Sequence, residues 1–289
     1  MSSHSYPASL VPLPIDVVSI QSQVVYGRVG NNAALPVLDA FGLMTAAVPT
    51  VVLSNTPHYP TLHGGALPPA WFDGYLQGLS DRGVMQSLKA VLCGYLGGPQ
   101  QARALTGWIA SIVQERNDLL IVIDPVLGDY DHGEYVDPGM ADAYQHGLLT
   151  LADGLTPNSF ELQRLTGLPV DDIDSAVVAA RILLTGRTQW AVVTSALPKA
   201  TPADQLSTLV VTRQRHEVFR QPRMDAFPKG TGDLFSAALL GHLLAGASVF
   251  EAAPLACELV ASAVRRTQQA RCAELLMPEF PCPSKKGCQ

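Results

Sequence analysis

The sequence predicts an α/β fold with a doubly wound, mostly parallel central sheet between two helical layers. Three observations lead there. Strand-like and helix-like runs alternate from residue 15 to residue 200, with no internal repeat and no linker. The run Leu119-Leu120-Ile121-Val122-Ile123 is apolar throughout, as a strand covered on both faces must be, and Asp124-Pro125 halts it. Polar residues gather where several apolar runs end, and in open parallel sheets that is the edge that receives ligands.

The elements follow in order. Residues Met1 to Pro14 are rich in serine and proline and read as a loose extension. Ile15 to Ile20 is a strand of β-branched residues that ends in Gln21-Ser22-Gln23. The turn Gly27 to Asn32 opens a helix through Phe41, stopped by Gly42. A second strand, Thr45 to Leu53, delivers Ser54-Asn55-Thr56-Pro57-His58-Tyr59, a polar and aromatic lip. Trp71, Tyr75, Leu76 and Leu79 mark a helix, Leu88 to Cys93 a third strand, and Pro99 to Gln114 a helix with one apolar face. After the central strand, Gly128 to Tyr135 is too polar and glycine-rich for core and reads as a flap. A helix from Ala141 to Leu151 precedes Gly154 to Asn158, a short strand and a helix entry, and Glu161 lies in the first turn of the next helix, which runs to Thr166. Asp174 to Leu184 is helical, Trp190 to Ser195 a strand, and Leu206 to Thr212 with Glu217 to Arg220 an antiparallel pair. A final helix spans Val249 to Arg271, and residues beyond Pro278 form a tail. Residues 15–277 are thus expected to make one domain.

Composition bounds the function. With 289 residues and 47% hydrophobic content the chain can bury a substantial core. A net charge of −6 provides no general attraction to nucleic acid. No apolar run reaches the roughly 18 residues of a membrane span, and the N-terminus lacks the basic and apolar regions of a secretory signal, so a cytoplasmic protein without membrane partners is expected. Five cysteines without C-x-x-C spacing argue against a disulfide framework or a zinc ribbon.

Lys229-Gly230-Thr231-Gly232-Asp233 is the stretch with the most chemistry. Two glycines flank a threonine just before the apolar pattern Leu234, Phe235, Ala238, Leu239, Leu243, so a tight turn delivers free backbone N–H groups at a helix start. Such a start attracts anions. Asp233 adds a carboxylate able to accept the proton of a hydroxyl attacking a phosphate. These residues suit a small-molecule kinase, and an ordinary glycine turn with Asp233 as a cap is the bland alternative. A P-loop enzyme is excluded because G-x-x-x-x-G-K-[ST] is absent.

The order of motifs resembles the ribokinase-like superfamily, a Rossmann-like sandwich. Ser19-Ile20-Gln21-Ser22-Gln23-Val24-Val25-Tyr26-Gly27 and Leu53-Ser54-Asn55-Thr56-Pro57 are similar to pyridoxal kinases in particular, as are Asp124-Pro125-Val126, Thr156-Pro157-Asn158-Ser159-Phe160-Glu161-Leu162 and the Gly230–Asp233 loop. The resemblance implies transfer of the ATP γ-phosphoryl group to the 5′-hydroxymethyl of pyridoxal, pyridoxine or pyridoxamine. It implies Asp233 as the base, also touching substrate, with Ser22 and His58 as substrate contacts and Gly230, Thr231 and Gly232 as the anion hole. Asp124, Thr156, Glu161, Thr194 and Thr231 would line the ATP site, Glu161 and Tyr135 would attend Mg2+, and residues 221–224 fall where the family meets the nucleotide. A monovalent cation and a homodimer are also family expectations. For Lys229 two roles stay open, steadying phosphate oxygens or forming a reversible imine with an aldehyde. Two rival functions stand beside this one: a hydroxymethylpyrimidine kinase, whose members typically carry cysteine where this chain has Asp233, and a vitamin B6-binding protein without catalysis.

Overall fold

The computed structural model describes residues 11–197, 199–226 and 228–280. Most of the expected extension (residues 1–10) and tail (residues 281–289, with Cys282 and Cys288) lie outside the described residues. In chain order the elements are β1 (Val17–Tyr26), α1 (Asn31–Ala40), β2 (Thr45–Asn55), β3 (Gly64–Ala66), α2 (Pro69–Asp81), β4 (Ala90–Cys93), α3 (Pro99–Glu115) and β5 (Leu120–Ile123). The hairpin β6 (Gly128–Asp129) and β7 (Gly133–Glu134) follows, then α4 (Met140–Ala143) and α5 (Leu149–Leu151), joined by a π turn over Tyr144–Leu148. The chain goes on through β8 (Gly154–Leu155), α6 (Ser159–Thr166), α7 (Ile173–Ile182), β9 (Trp190–Val193), β10 (Gln205–Thr212), β11 (His216–Pro222), α8 (Thr231–Leu244) and α9 (Val249–Ala270).

Nine strands form one sheet in the order β11-β10-β9-β8-β5-β4-β1-β2-β3. Its six inner strands, from β9 to β2, are parallel, and β10, β11 and β3 add antiparallel edges. Alternation along the strands explains the two layers. Val18 and Ile20 of β1, Val91 and Cys93 of β4, and Ile121 and Ile123 of β5 face α2 to α7. Val17, Ala90, Leu92 and Val122 face α1, α8 and α9. Strand β5 is covered on both sides, as its unbroken apolar run requires.

The chain leaves β1 for β2 on one side and returns to β4 on the other, so the crevice between β1 and β4 is the switch point of the sheet. Here the structure departs from the sequence-based boundary. Strand β1 does not end at Ile20 but continues to Tyr26; Ile20 is its last partner to β4, opposite Cys93, while pairing to β2 continues to Tyr26 and Asn55. A register shift opposite Gln21 to Gln23 bends the pair away from the central sheet. Ser22 therefore still lies at the carboxyl edge of the sheet. Strand β3 pairs antiparallel with β2 through Gly64 to Ala66.

Helix α8 is buried from Leu234 to Gly241, with apolar residues on all sides, because it lies between the sheet and both α1 and α9. It runs parallel to α1. At the far end of the pair, a Cβ on Gly241 would fall 2.4 Å from the Phe41 ring. The same ring meets His242 edge-on at 4.8 Å between centroids. Gly241→Val is expected to cost about 1–3 kcal/mol through overpacking, measured by urea denaturation, and Phe41→Leu in the same chain should recover part of the loss.

Candidate active site

The site is built where α1 and α8 begin. Gly230 is the N-terminal flanking residue of α8, at φ 95°, a left-handed conformation that favours glycine. A Cβ there would fall 1.9 Å from the Arg28 carbonyl oxygen, so the loop is seated against the turn that follows β1. No side chain caps α8, although α6, α7 and α9 each carry a capping box. The N–H groups of Thr231, Gly232 and Asp233 in this first turn have no acceptor within the helix. Asp233 accepts a hydrogen bond from the Gly30 N–H at the start of α1, and burial raises its pKa more than that bond lowers it. Two helix N-termini thus converge on one carboxylate.

Asp124 follows β5 at the same edge, 7% exposed. A Cβ on Gly232 would stand 3.8 Å from its Oδ2. Ser236, one turn along α8 from Asp233, donates to Asp124 Oδ2 at 3.3 Å and shares a 2.9 Å hydrogen bond with the Thr156 hydroxyl. The Asp124 pKa is raised well above the carboxylate range, first by burial and then by the charges of Glu161 and Asp233, against opposing bonds from Ser236 and Thr156. Glu161 is 3% exposed. Its Oε2 accepts the Asn158 N–H at 2.8 Å in a capping box, and its Oε1 accepts the Leu127 N–H at 3.0 Å. Burial pushes it up to about 7 despite these bonds. Thr194 joins the group through its N–H to the Pro157 carbonyl, 3.0 Å away. Ser195 beside it has φ 46°, an unusual value for a residue that is not glycine.

The flap is a short hairpin that leans on this cluster. Asn158 Nδ2 holds the Gly128 carbonyl at 2.8 Å, and Tyr130 stacks edge-on against Phe160. Tyr135 is half exposed. Its hydroxyl is raised by burial and then by Glu161, Asp129, Asp124 and Asp233 in turn. Lys229 reaches the hairpin, its Nζ 3.6 Å from Asp129 Oδ2 and 3.4 Å from His132 Nδ1.

On the other side of Asp233, Ser22 is buried against Gly30, where a Cβ would fall 2.3 Å from its hydroxyl. His58 and Tyr59 stack at 4.2 Å, and His58 Nε2 is 3.7 Å from Glu274 Oε1. The sequence reading did not single out Ser236 or Glu274. Ser236 lay unnoticed inside an apolar helix pattern, where a lone serine is the available signal; Glu274 lies in an irregular segment and has no signal at all. Equally invisible was a cleft of about 390 Å³ between Asp225, Ala226 and Pro228 on one side and Thr267, Gln268 and Arg271 on the other. It adjoins the Gly230 loop through Pro228 and the end of β11 through Asp225. Among the described residues, no three His, Cys, Asp or Glu side chains could hold a metal alone.

A parallel sheet whose switch point faces an uncapped helix start, with a carboxylate in its first turn, defines a small-molecule kinase of the ribokinase-like fold. A family model described as phosphomethylpyrimidine kinase matches residues 39–275. The chain belongs to that family and, within it, to the pyridoxine/pyridoxal/pyridoxamine kinases. A pyridoxine/pyridoxal/pyridoxamine kinase of Bordetella pertussis is 57% identical, over 94% of this chain and 96% of its own length. The pyridoxal kinase PdxY of Rubrobacter xylanophilus is 32% identical over 88% of each. Among solved structures, the pyridoxal kinase of Leishmania donovani in complex with ADP and pyridoxamine superposes with a TM-score of 0.81 at 30% identity, covering 88% of this chain and 87% of that one.

The raised carboxylates make stability pH-dependent. Glu161 titrates near 7 in the folded chain and near 4.5 when unfolded, so between these values the native state binds more protons. Stability of the ligand-free protein should fall as pH rises through this window, read as a lower Tm at pH 7.5 than at pH 5.5. Glu161→Gln should flatten that slope, whatever it does to the absolute Tm. Gly230→Ala should destabilise by about 1–2 kcal/mol from the left-handed φ alone, and more from the contact with Arg28, measured by chemical denaturation.

Proposed function

We propose that this chain transfers the γ-phosphoryl group of ATP to the 5′-hydroxymethyl group of pyridoxal, pyridoxine and pyridoxamine, with residues 15–277 as one catalytic domain. The observation that carries the proposal is the meeting of the α1 and α8 N-termini at Asp233, with the uncapped first turn of α8 beside it. In this reading Asp233 receives the proton of the attacking hydroxyl. A base of ordinary strength suffices, because phosphoryl transfer asks mainly for alignment and charge stabilisation. The N–H groups of the Gly230–Thr231–Gly232 turn, already fixed by Gly230 against Arg28, meet the charge that develops on the phosphoryl oxygens.

Ser22 and His58 face the pyridine. Thr156, Thr194, Thr231 and Asp124 line the phosphates, and the 390 Å³ cleft beside Pro228 accommodates the base of the nucleotide. Mg2+ supplies charge neutralisation to the phosphates when bound, and it typically takes one or two carboxylates, some through water, rather than a cage. The residues fit that need. Asp124 and Glu161, both buried, and the partly buried Asp233 bring three carboxylates together with no ion pair to a cation among the described residues, and Glu161 and Tyr135 stand on the flap side of the cluster, where they would attend the ion. A monovalent cation close to the anion hole belongs to the same proposal. Lys229 immediately precedes the Gly230 turn and is held by Asp129 and His132 as a charged ammonium, which favours the phosphate-steadying role over the imine.

The protein is also proposed to be a cytoplasmic homodimer. Val25, Tyr26 and Val52 expose apolar surface on β1 and β2, as does Leu62 in the loop before β3, and Cys93 and Cys257 are buried free thiols. No helix among the described residues is long and apolar enough to cross a membrane.

A second reading, hydroxymethylpyrimidine as the main or side substrate, is favoured by the description of the matching family model. Release of ADP from Mg-ATP should be measured with each pyridine and with hydroxymethylpyrimidine. Turnover of the pyridines is expected, and Asp233→Ala should lower kcat by about 10²–10⁴-fold, the usual worth of a positioned base. Turnover of the pyrimidine alone would move the protein to the second reading, and binding without turnover would make it a vitamin B6-binding protein.

A further inference from the structure

A carboxylate outside the machinery described above is enclosed beside its substrate wall. Glu274 comes from the segment that follows α9 and is 7% exposed. Its place is set by its neighbours: Leu275 is fully buried against the α8 and α9 layer, and the Leu276 N–H bonds the buried Thr267 hydroxyl at 2.8 Å. Glu274 Oε2 accepts two hydrogen bonds, from the Thr56 hydroxyl at 2.9 Å and from the Arg28 N–H at 3.2 Å. These partners belong to different loops, the turn after β1 and the loop after β2. Gly27 lets them close, since a Cβ there would fall 1.9 Å from the Thr56 hydroxyl and 2.6 Å from Glu274 Oε2. The other oxygen, Oε1, is buried and has no hydrogen-bond partner. Facing it are His58 Nε2 at 3.7 Å and the side chain of Tyr59, which stacks on the imidazole and whose pKa is raised by burial and then by Glu274.

Desolvating a carboxylate with one oxygen unsatisfied is costly, and a core position would be better filled by an apolar residue. A buried carboxylate that binds two loops and faces an imidazole is accounted for if that imidazole must be held in one orientation. We propose that Glu274 is a positioning residue for the alcohol substrate: it joins the Gly27–Gly30 turn to the Thr56–Tyr59 loop as one wall and turns the Nε2 edge of His58 toward itself, leaving Nδ1 to face the ligand. This rests on the reading that His58 contacts the substrate. The segment after the last helix thereby acts on the acceptor side of the site, while the nucleotide side is built by other elements.

The test is steady-state kinetics of Glu274→Gln, His58→Asn and the double variant, using whichever alcohol the wild type phosphorylates. Glu274→Gln keeps the shape and removes the charge. It should raise the KM for that alcohol roughly tenfold, because the charge that faces His58 and accepts the Thr56 and Arg28 bonds is lost, with kcat and the KM for ATP changed by less than about threefold. In the His58→Asn background the same substitution should have little further effect, because the two residues act as a unit. Thr56→Val, which frees the loop and leaves the carboxylate intact, should raise the KM for the alcohol in the same direction, and it decides the matter if Glu274→Gln does not fold. Independent effects of Glu274→Gln and His58→Asn, or an equal rise in the KM for ATP, would overturn the proposal and leave Glu274 a structural residue. A wild type active only on hydroxymethylpyrimidine would defeat the pyridine reading, yet the coupling would still be measured with that alcohol and decide the role of Glu274 separately.

Discussion

Two helices start at one point, and the rest of the structure is arranged to make that possible. Helix dipoles that run parallel repel each other, so α1 and α8 would not begin side by side without compensation. Part of that compensation is Asp233, a carboxylate placed between the two positive ends and bonded to the Gly30 N–H. Part is packing. Gly230 lies on the Arg28 carbonyl at the start of the pair and Gly241 on Phe41 at its end, so the helices are locked in register along their length. The apolar belt of α8 from Leu234 to Gly241 keeps the pair against the sheet. Disturbing any of these contacts would move the first turn of α8, which holds the chemistry.

Opposite these positive ends stands an excess of negative charge. Asp124, Glu161 and Asp233 are all raised by burial, and each of the other two carboxylates raises Asp124 further. A fold selected for stability alone would not keep three such groups together. Hydrogen bonds moderate the cost: Ser236, itself bonded to Thr156, holds Asp124, and the N–H groups of Leu127 and Asn158 hold Glu161. The uncapped helix start of α8 is next to this cluster. Positive and negative halves of one site thus come from different elements of the same sheet edge.

The hairpin and the projecting strands close the site from two directions. On one side, the β6–β7 hairpin is tied by Asn158 and by Lys229, which joins the loop before α8 to the loop after β5. On the other side, β1 and β2 outrun their neighbours and carry Ser22 and the Thr56–Tyr59 loop beyond the sheet. Their extension also leaves Val25 and Tyr26 exposed.

Much of this was legible in the residues themselves. Unbroken apolar runs identified the inner strands, because burial on both faces leaves no room for alternation, and Asp124-Pro125 and Gly230-Thr231-Gly232-Asp233 marked strand end and helix start through local backbone chemistry. The capping box of Asn158 and Glu161 was half visible, as an acid in a first turn. Local rules failed where pairing partners decide the outcome. The length of β1 depends on β2 remaining beside it after β4 has gone, and two-residue strands such as β6 and β7 exist only through each other. By itself, then, the sequence determined the alternating fold, the ligand-bearing edge and the residues fit to act there, since each follows from periodicity or turn chemistry within a few positions. Only the tertiary structure decided that Asp233 meets the start of α1, that Ser236 joins Asp124 to Thr156, and that Glu274 reaches Thr56 across 218 positions of chain, because contacts between distant segments are set by packing and leave no local pattern to read.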